Sequence, residues 1–137
     1  MAATTAPINT PELPSAAIDI ELPIKSGATL YPGAMANVDA NGELTNAGDT
    51  AAERCAGNVQ SVNTTTGKAI IRRGIHRYAN VGSLTNASLG MPCYVKTNQE
   101  VCPAGSATND VQAGTIVWVD ATGVWVDHRT AGPYTNP

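Results

Sequence analysis

Residues Thr115-Ile-Val-Trp-Val-Asp-Ala-Thr-Gly-Val-Trp-Val-Asp-His128 decide the fold class. Two short runs of valine, isoleucine and tryptophan flank the break Asp120-Ala121-Thr122-Gly123. β-Branched and aromatic side chains suit a pleated, half-buried surface, so both runs are expected to be strands. Aspartate first and glycine fourth suit a type I turn, with Gly123 able to take a left-handed conformation. The expected hairpin has a three-residue loop with a bulge at the glycine. In that register Asp120 faces Val124, Trp118 faces Val126 and Ile116 faces His128. One face then carries Ile116, Trp118, Val124 and Val126, and the other Val117, Val119 and Trp125. A two-residue loop would instead set Trp118 opposite Trp125. In either register both faces are apolar, which a sheet open to water on one side would not show. The hairpin is therefore expected to be covered on two sides. In a chain with a single core, a partner subunit can supply the second cover.

Working outward, the totals limit what surrounds this hairpin. The chain has 137 residues, enough for one domain that buries roughly 65–70% of its unfolded surface. Charged residues make up 14%, phenylalanine is absent, and glycine plus proline number 22 (13 + 9). That composition suits short strands and many turns, and no segment has convincing helical spacing of apolar residues. A net charge of −3 argues against nucleic acid as the main partner, because phosphate binding needs concentrated positive charge. No apolar run approaches the ~20 residues of a membrane span. The first residues lack the basic start and apolar run of a secretory signal, so synthesis in a cytoplasm is expected. On that reading Asn63-Thr64-Thr65 and Asn86-Ala87-Ser88 match the glycosylation pattern by chance.

At the N-terminus, residues 1–17 form an arm with Pro7, Pro11 and Pro14 and little to pack. Proline removes donors and fixes an extended backbone, so the arm is expected to lack independent structure. It is either a loose tail or a segment that orders on a partner, with Ile8 and Leu13 as apolar anchors. The β domain is expected over 18–129, followed by a polar tail over 130–137. Within it, Ile18–Ile24 alternates weakly, and Asn41-Gly42 is a strong hairpin signal. Further strands are expected at Arg54–Val62, Lys68–Ala79, Met91–Lys96 and Glu100–Pro103. Alternation along Lys68–Ala79 places Arg73 and Arg77 with Ile71 and Ile75, and Arg72 and His76 with Ile70 and Tyr78. These arginines are either solvated or pair across a subunit contact. Eight or so short strands with regular turns imply an all-β barrel or sandwich.

Catalytic and cofactor signatures are missing. The chain has no Gly-x-Ser-x-Gly elbow, no phosphate-cradling loop and no paired-cysteine or His-Glu-x-x-His motif. His76 and His128 are its only histidines. No enzyme, cofactor or metal site is therefore expected. Cys55, Cys93 and Cys102 do not make a disulfide framework. A two-residue turn at Thr97-Asn98 would set Cys93 opposite Cys102, where they either bridge or pack as small reduced side chains.

Three segments carry a resemblance. Thr29-Leu-Tyr-Pro-Gly-Ala-Met-Ala-Asn-Val-Asp-Ala-Asn-Gly-Glu-Leu44 comes first. Cys55-Ala-Gly-Asn-Val59 and Thr64-Thr-Thr-Gly-Lys-Ala-Ile-Ile-Arg-Arg-Gly-Ile-His-Arg-Tyr-Ala-Asn-Val81 follow. In this order they resemble the head decoration (capsid cement) proteins of tailed bacteriophages, of the lambda type. The matching positions are Gly57, Thr64–Thr66, Gly74, Arg77 and Tyr78. Leu89–Val95, Ala113–Val117 and Gly123–Val126 look like a related branch of such proteins, so the likeness spans about Thr29 to Arg129. A second hairpin stands here where the lambda type has a short helical segment.

The resemblance implies a β-tulip-like domain, usually trimeric, on the outer surface of the virion. Its partner would be the major capsid protein at three-fold and quasi-three-fold sites of the expanded head. The capsid-binding arm would then comprise Thr4, Thr5, Pro7, Ile8, Asn9, Thr10, Pro11, Leu13 and Pro14. Trp118, Trp125, Tyr78, Arg73 and Arg77 would lie in the core or the subunit interface. The rival is a carbohydrate- or surface-binding β module of a phage fibre or tail, which needs an exposed aromatic platform.

Overall fold

The computed structural model describes residues 2–130, and at residues 13–15 the backbone. Its architecture is all-β, with two single-turn 3-10 helices at Asn86–Ser88 and His128–Thr130. The first five strands are β1 (Glu12–Pro23), β2 (Met35–Val38), β3 (Leu44–Asn46), β4 (Arg54–Asn63) and β5 (Lys68–Asn80). The others are β6 (Pro92–Thr97), β7 (Glu100–Cys102), β8 (Gln112–Asp120) and β9 (Gly123–Asp127).

Strand β5 is the element that both halves share. Its first residues, Lys68–Arg72, pair with β4 on one flank and with β1 on the other. Its later residues pair with β9 through Ile75–Tyr78 and, in parallel, with β7 through Ala79 and Asn80. The run β7-β6-β8-β9 returns to β5 and closes a five-stranded barrel. Closure removes the unpaired edges that an open sheet would present. The remaining strands follow the order β1-β5-β4-β2-β3, and a bridge between Ile24 and Leu44 brings the ends of this second sheet together.

Each half has its own core. The barrel encloses Val95, Val101, Ile116, Val124, Val126 and Tyr78, with Met35 and Leu84 packed on them. The second sheet wraps Leu30, Leu44, Val59, Ala69 and Ile71, with Ile20 and Leu22 half-buried beside them. Along β5 the buried positions are Ala69 and Ile71, then Gly74, His76 and Tyr78. The buried face therefore switches across Arg72 and Arg73, where β4 gives way to β9 as the neighbour on one flank. Period-two alternation puts odd and even residues on opposite faces, so one strand feeds two cores.

The central hairpin forms, but not in the expected register. Asp120 pairs with Gly123, Val119 with Val124 and Trp118 with Trp125, so the loop has two residues, Ala121 and Thr122. Asp120 explains this: its Oδ1 accepts from the Thr122 amide at 2.8 Å and from the Gly123 amide at 3.0 Å. Gly123, at φ 156°, lies so close to β5 that a Cβ would stand 2.3 Å from the Tyr78 carbonyl oxygen. Below the loop a bulge shifts the register, and Ile116 faces Val126. One extra residue on the bulged strand turns both Val117 and Trp118 outward and returns Val119 to the core. The expected faces are thus corrected at two positions: Trp118 joins Val117 and Trp125 outside, and Val119 joins Ile116 inside.

Two further differences lie nearer the termini. Strand β1 begins at Glu12, six residues ahead of the expected Ile18, so the end of the arm belongs to the sheet. Arg72 holds it there, through Glu12 at 3.1 Å and Asp19 at 2.8 Å. In the β6–β7 hairpin Thr97 faces Glu100, and a register shift sets Cys102 opposite Tyr94 and not opposite Cys93. All three cysteines are free and buried, and burial pushes the Cys55 thiol up to about 12. The expected tail beyond Thr130 lies outside the described residues.

Candidate functional site

Adjacent strands β5, β9 and β8 bring Arg77, Trp125 and Trp118 into one row across the outer wall of the barrel. Arg77 is the register partner of Trp125, and Trp125 of Trp118. The two indoles stack with centroids 5.8 Å apart and planes 11° from parallel. The Arg77 guanidinium carbon stands 5.6 Å from the Trp125 ring centroid, within cation–π range. The loop residues fix this row from its end. Trp125 Nε1 donates to Asp120 Oδ2 at 3.1 Å, and Arg77 Nη1 donates to Thr122 Oγ1 at 3.0 Å. Hydrogen bonds from the Thr122 side chain and from Trp125 hold the Asp120 carboxyl down at about 2, so it is an anion at any ordinary pH.

The row is covered at one end and open at the other. Trp125 is 7% exposed, whereas Trp118 is 45% exposed. Val117, Leu89 and Met91 are exposed large apolar residues as well. The segment 86–91 brings the last two beside β8. Asn86 bonds both the amide and the carbonyl of Val119, Gly90 N donates to the Ile116 carbonyl, and Ile116 N donates to the Met91 carbonyl. An apolar patch of Leu89, Met91, Val117 and Trp118 thus crosses the outer surface of the barrel. Arg77 and Trp125 cover part of the hairpin's second side from within the same chain, and Trp118 and Val117 are left facing outward. A flat π-surface with a cation and a carboxylate at its rim can take an apolar side chain or the face of a sugar ring.

Tyr78 and Arg73 are not part of this row. Tyr78 points into the barrel, where its hydroxyl accepts from Asn58 Nδ2 at 2.9 Å and lies 2.6 Å from His128 Nε2. His128 Nδ1 is 3.0 Å from the Ala113 carbonyl, which can only accept, so Nδ1 carries the proton and Nε2 takes the tyrosine's. Burial, then the neighbouring His76, pushes His128 down to about 3 and keeps it neutral. His76 is buried with neither ring nitrogen hydrogen-bonded, 3.5 Å from a Glu12 carboxylate oxygen, and burial lowers its pKa also. Arg73 braces β4, donating to the Ala56 carbonyl at 2.8 Å where β5 changes its buried face. The arginine cluster is therefore tied within the chain at Arg72, Arg73 and Arg77.

The arm lies along a track made by the turn between β6 and β7, the loop before β2 and the barrel end of β5. Asn98, fully buried, accepts from the Thr4 amide at 2.9 Å and donates to the Thr4 carbonyl at 3.1 Å. Gln99 Nε2 donates to the Ala2 carbonyl, and the Thr10 hydroxyl donates to the Gly33 carbonyl. Ile8 N donates to the Pro32 carbonyl at 2.8 Å, and Arg77 N to the Pro11 carbonyl at 3.1 Å. Gly33, at φ 89°, is required here, because a Cβ would lie 1.9 Å from the Ile8 carbonyl oxygen. Thr5, Pro7 and Asn9 stay exposed, and Leu13 faces Ile75 in the β1–β5 ladder, with Pro14 following it.

Sequence reasoning missed Asn98, Asp120 and Asn86 as the groups that set these surfaces. Asp120 was legible as a turn residue. Asn98 and Asn86 act across 94 and 33 residues of chain, a separation no local pattern encodes. No group of three or more His, Cys, Asp or Glu suited to a metal ion occurs among the described residues. No helix among them is long and apolar enough to cross a membrane. Comparisons with protein-family models, curated proteins and solved structures gave no match to this chain.

Proposed function

We propose that this chain is a decoration protein of a tailed-phage head, a structural and non-enzymatic subunit seated on the outer surface of the virion. Its partner is the major capsid protein of the expanded lattice, which it binds as three copies at three-fold and quasi-three-fold sites. The observation that carries the reading is the Leu89–Met91–Val117–Trp118 patch on a barrel that also bears an extended arm. Such a patch suits a subunit contact, because an apolar surface rimmed by polar groups marks an association site. A closed three-fold ring covers it in every copy.

The arm supplies the second contact. Once released from its own track, the arm is restricted by its prolines, so the extended segment around Pro7, Ile8 and Pro11 loses less entropy on docking at a coat-protein sheet edge, and that docking has to outweigh the hydrogen bonds of the track. Three arms on one trimer multiply weak contacts by effective concentration. Binding only the expanded lattice then stabilises that state by mass action against the pressure of packaged DNA. To test this, expanded and unexpanded shells are mixed with the full chain and with a chain lacking residues 2–11. Saturation of expanded shells alone, with occupancy lowered by orders of magnitude in the truncated chain, is the expected result. Equal binding to both shells, or none, sinks the reading.

One observation favours a second reading, a carbohydrate-binding module of a fibre or tail. Trp118 is 45% exposed at the end of a row that carries Trp125, Asp120 and Arg77 behind it, and an exposed indole can stack on a pyranose ring. A glycan array separates the two. Hits abolished by Trp118→Ala support this reading, and an empty array removes it.

A further inference from the structure

The track that holds residues 2–11 recognises mostly main chain, with the Thr10 hydroxyl as a side-chain contact, and this sets what else can occupy it. Asn98 binds the amide and carbonyl of Thr4 just as a neighbouring strand would, with its remaining amide hydrogen donated to Asn46 Oδ1 at 2.9 Å. Pro32, Gly33 and Gln99 reach the backbone of Ile8, the hydroxyl of Thr10 and the backbone of Ala2. Of the arm's side chains, Ile8 packs over Gly33, which has no Cβ to block it. Nothing in these contacts depends on which copy of the chain provides the arm.

The link between the arm and the rest of β1 is the second observation. Leu13 pairs with Ile75, and the next pair is Ile18 with Arg73. Four residues, Pro14-Ser15-Ala16-Ala17, therefore stand opposite Gly74 alone. This bulge is a connection that the ladder does not fix. On its far side Asp19 and Arg72 anchor the remainder of β1 at 2.8 Å. On its near side Glu12 and Leu13 pair with His76 and Ile75, and Glu12 meets Arg72 at 3.1 Å, contacts that the β5 of a second copy offers equally. An unpaired connection between two paired segments is the arrangement from which identical elements exchange between copies.

We infer that the Gly33–Asn98–Gln99 track is an acceptor site for the N-terminal arm of a second copy of this chain, exchanged about the 14–17 hinge. The contacts made and lost are the same in the closed and exchanged forms, so the balance between them is set by concentration and by the hinge. The inference does not rest on the capsid reading, since both partners are copies of this chain in solution.

The test uses two full-length single-cysteine additions, Ala2→Cys in one population and Gln99→Cys in another. Both positions are outside the core, and the three native cysteines are buried. The populations are mixed at high concentration, incubated and then oxidised. Exchange predicts a disulfide-linked heterodimer at about tenfold the yield of a control pair, Ala2→Cys with Asn41→Cys, because docking raises the local concentration of one thiol at the other. A double variant carrying both substitutions and kept dilute should instead close within one chain, which reports that the arm still reaches the track. Intrachain closure in the double variant with heterodimer at the control level in the mixture overturns the inference.

Discussion

The two cores that share β5 are built on different terms. Around Ile71 the core cluster of the second sheet is aliphatic, with Leu30, Leu44, Val59 and Ala69 in it, while its buried polar side chains Asn37 and Thr45 bond outward to Gly48 and Glu53. Around Tyr78 the barrel buries a tyrosine, two histidines and Asn58 as well. The first depends on volume and the second also on hydrogen-bond direction. An aliphatic core tolerates volume-conserving swaps, whereas a buried polar group left unpaired costs its full desolvation. Fold and rigidity are thus divided: the sheet contributes generic burial, and the barrel fixes one arrangement of β4, β5, β8 and the last turn.

The largest expected effects come from removing buried volume on either side of this comparison. Ile71→Ala should cost roughly 3–5 kcal/mol and Trp125→Ala about the same, while Ile71→Val costs about 1 kcal/mol. Urea unfolding of the three variants checks the ratio. Equal losses for Ile71→Ala and Ile71→Val would show that the second sheet collapses around a cavity.

Acid should distinguish the cores next. Both histidines have folded-state pKa values below the ordinary 6.5, so the unfolded chain takes up protons that the folded chain refuses. Stability then falls as pH drops below 6.5, down to about 3 for His128. The carboxylates work lower. Asp19, Asp39, Asp49, Asp120 and Asp127 are held below the usual 3.8, so their contribution is intact above that value and lost only below it. Of the groups just named, the histidines act first, between pH 6.5 and 4, and 2.5 units at His128 correspond to roughly 3 kcal/mol. His128→Gln should flatten this slope in pH-dependent melting, whatever it does to stability at pH 7. An unchanged slope would place the acid sensitivity elsewhere.

Tyr78→Phe probes direction without volume. It leaves His128 Nε2 without a donor and removes one of the two acceptors of Asn58 Nδ2, which keeps the Gly33 carbonyl at 2.9 Å. A loss of about 1–3 kcal/mol is expected. A neutral result would make the barrel no more particular than the sheet. Smallest of all, Trp118→Ala should change the stability of the single subunit by under ~0.5–1 kcal/mol, since the ring is largely exposed. Under the proposed function the same variant should fail to assemble on shells, as read by sedimentation.

Strand positions were legible because their signals are local. Asp120 to Gly123, Asn41-Gly42 and the runs of β-branched residues mark turns and strands without help from the rest of the chain. The hairpin register was not, because the bulge at Val117 and Trp118 answers to neighbours in β9 and in segment 86–91. Nor was the change of buried face along β5, since Arg72-Arg73-Gly74 does not announce that β4 ends and β9 begins. Glu12–Pro14 was unreadable as strand because proline argues against it, and Glu12 is recruited by Arg72 and His76, sixty residues and more along the chain. The Trp118–Trp125–Arg77 row followed from the alternative two-residue loop, which sequence alone left open.

The order of synthesis gives the shared strand a further consequence. β1 is made first, yet its partner Lys68–Asn80 follows about fifty residues later. At roughly 5–20 residues per second, the N-terminal strand waits about 3–10 s before it has anything to pair with. Throughout that interval the nascent chain carries an unpaired extended segment, and chains emerging side by side on one messenger would carry several. Under the arm exchange inferred above, which copy's β5 an arm finally meets would be decided as much by the spacing of ribosomes as by the folded protein.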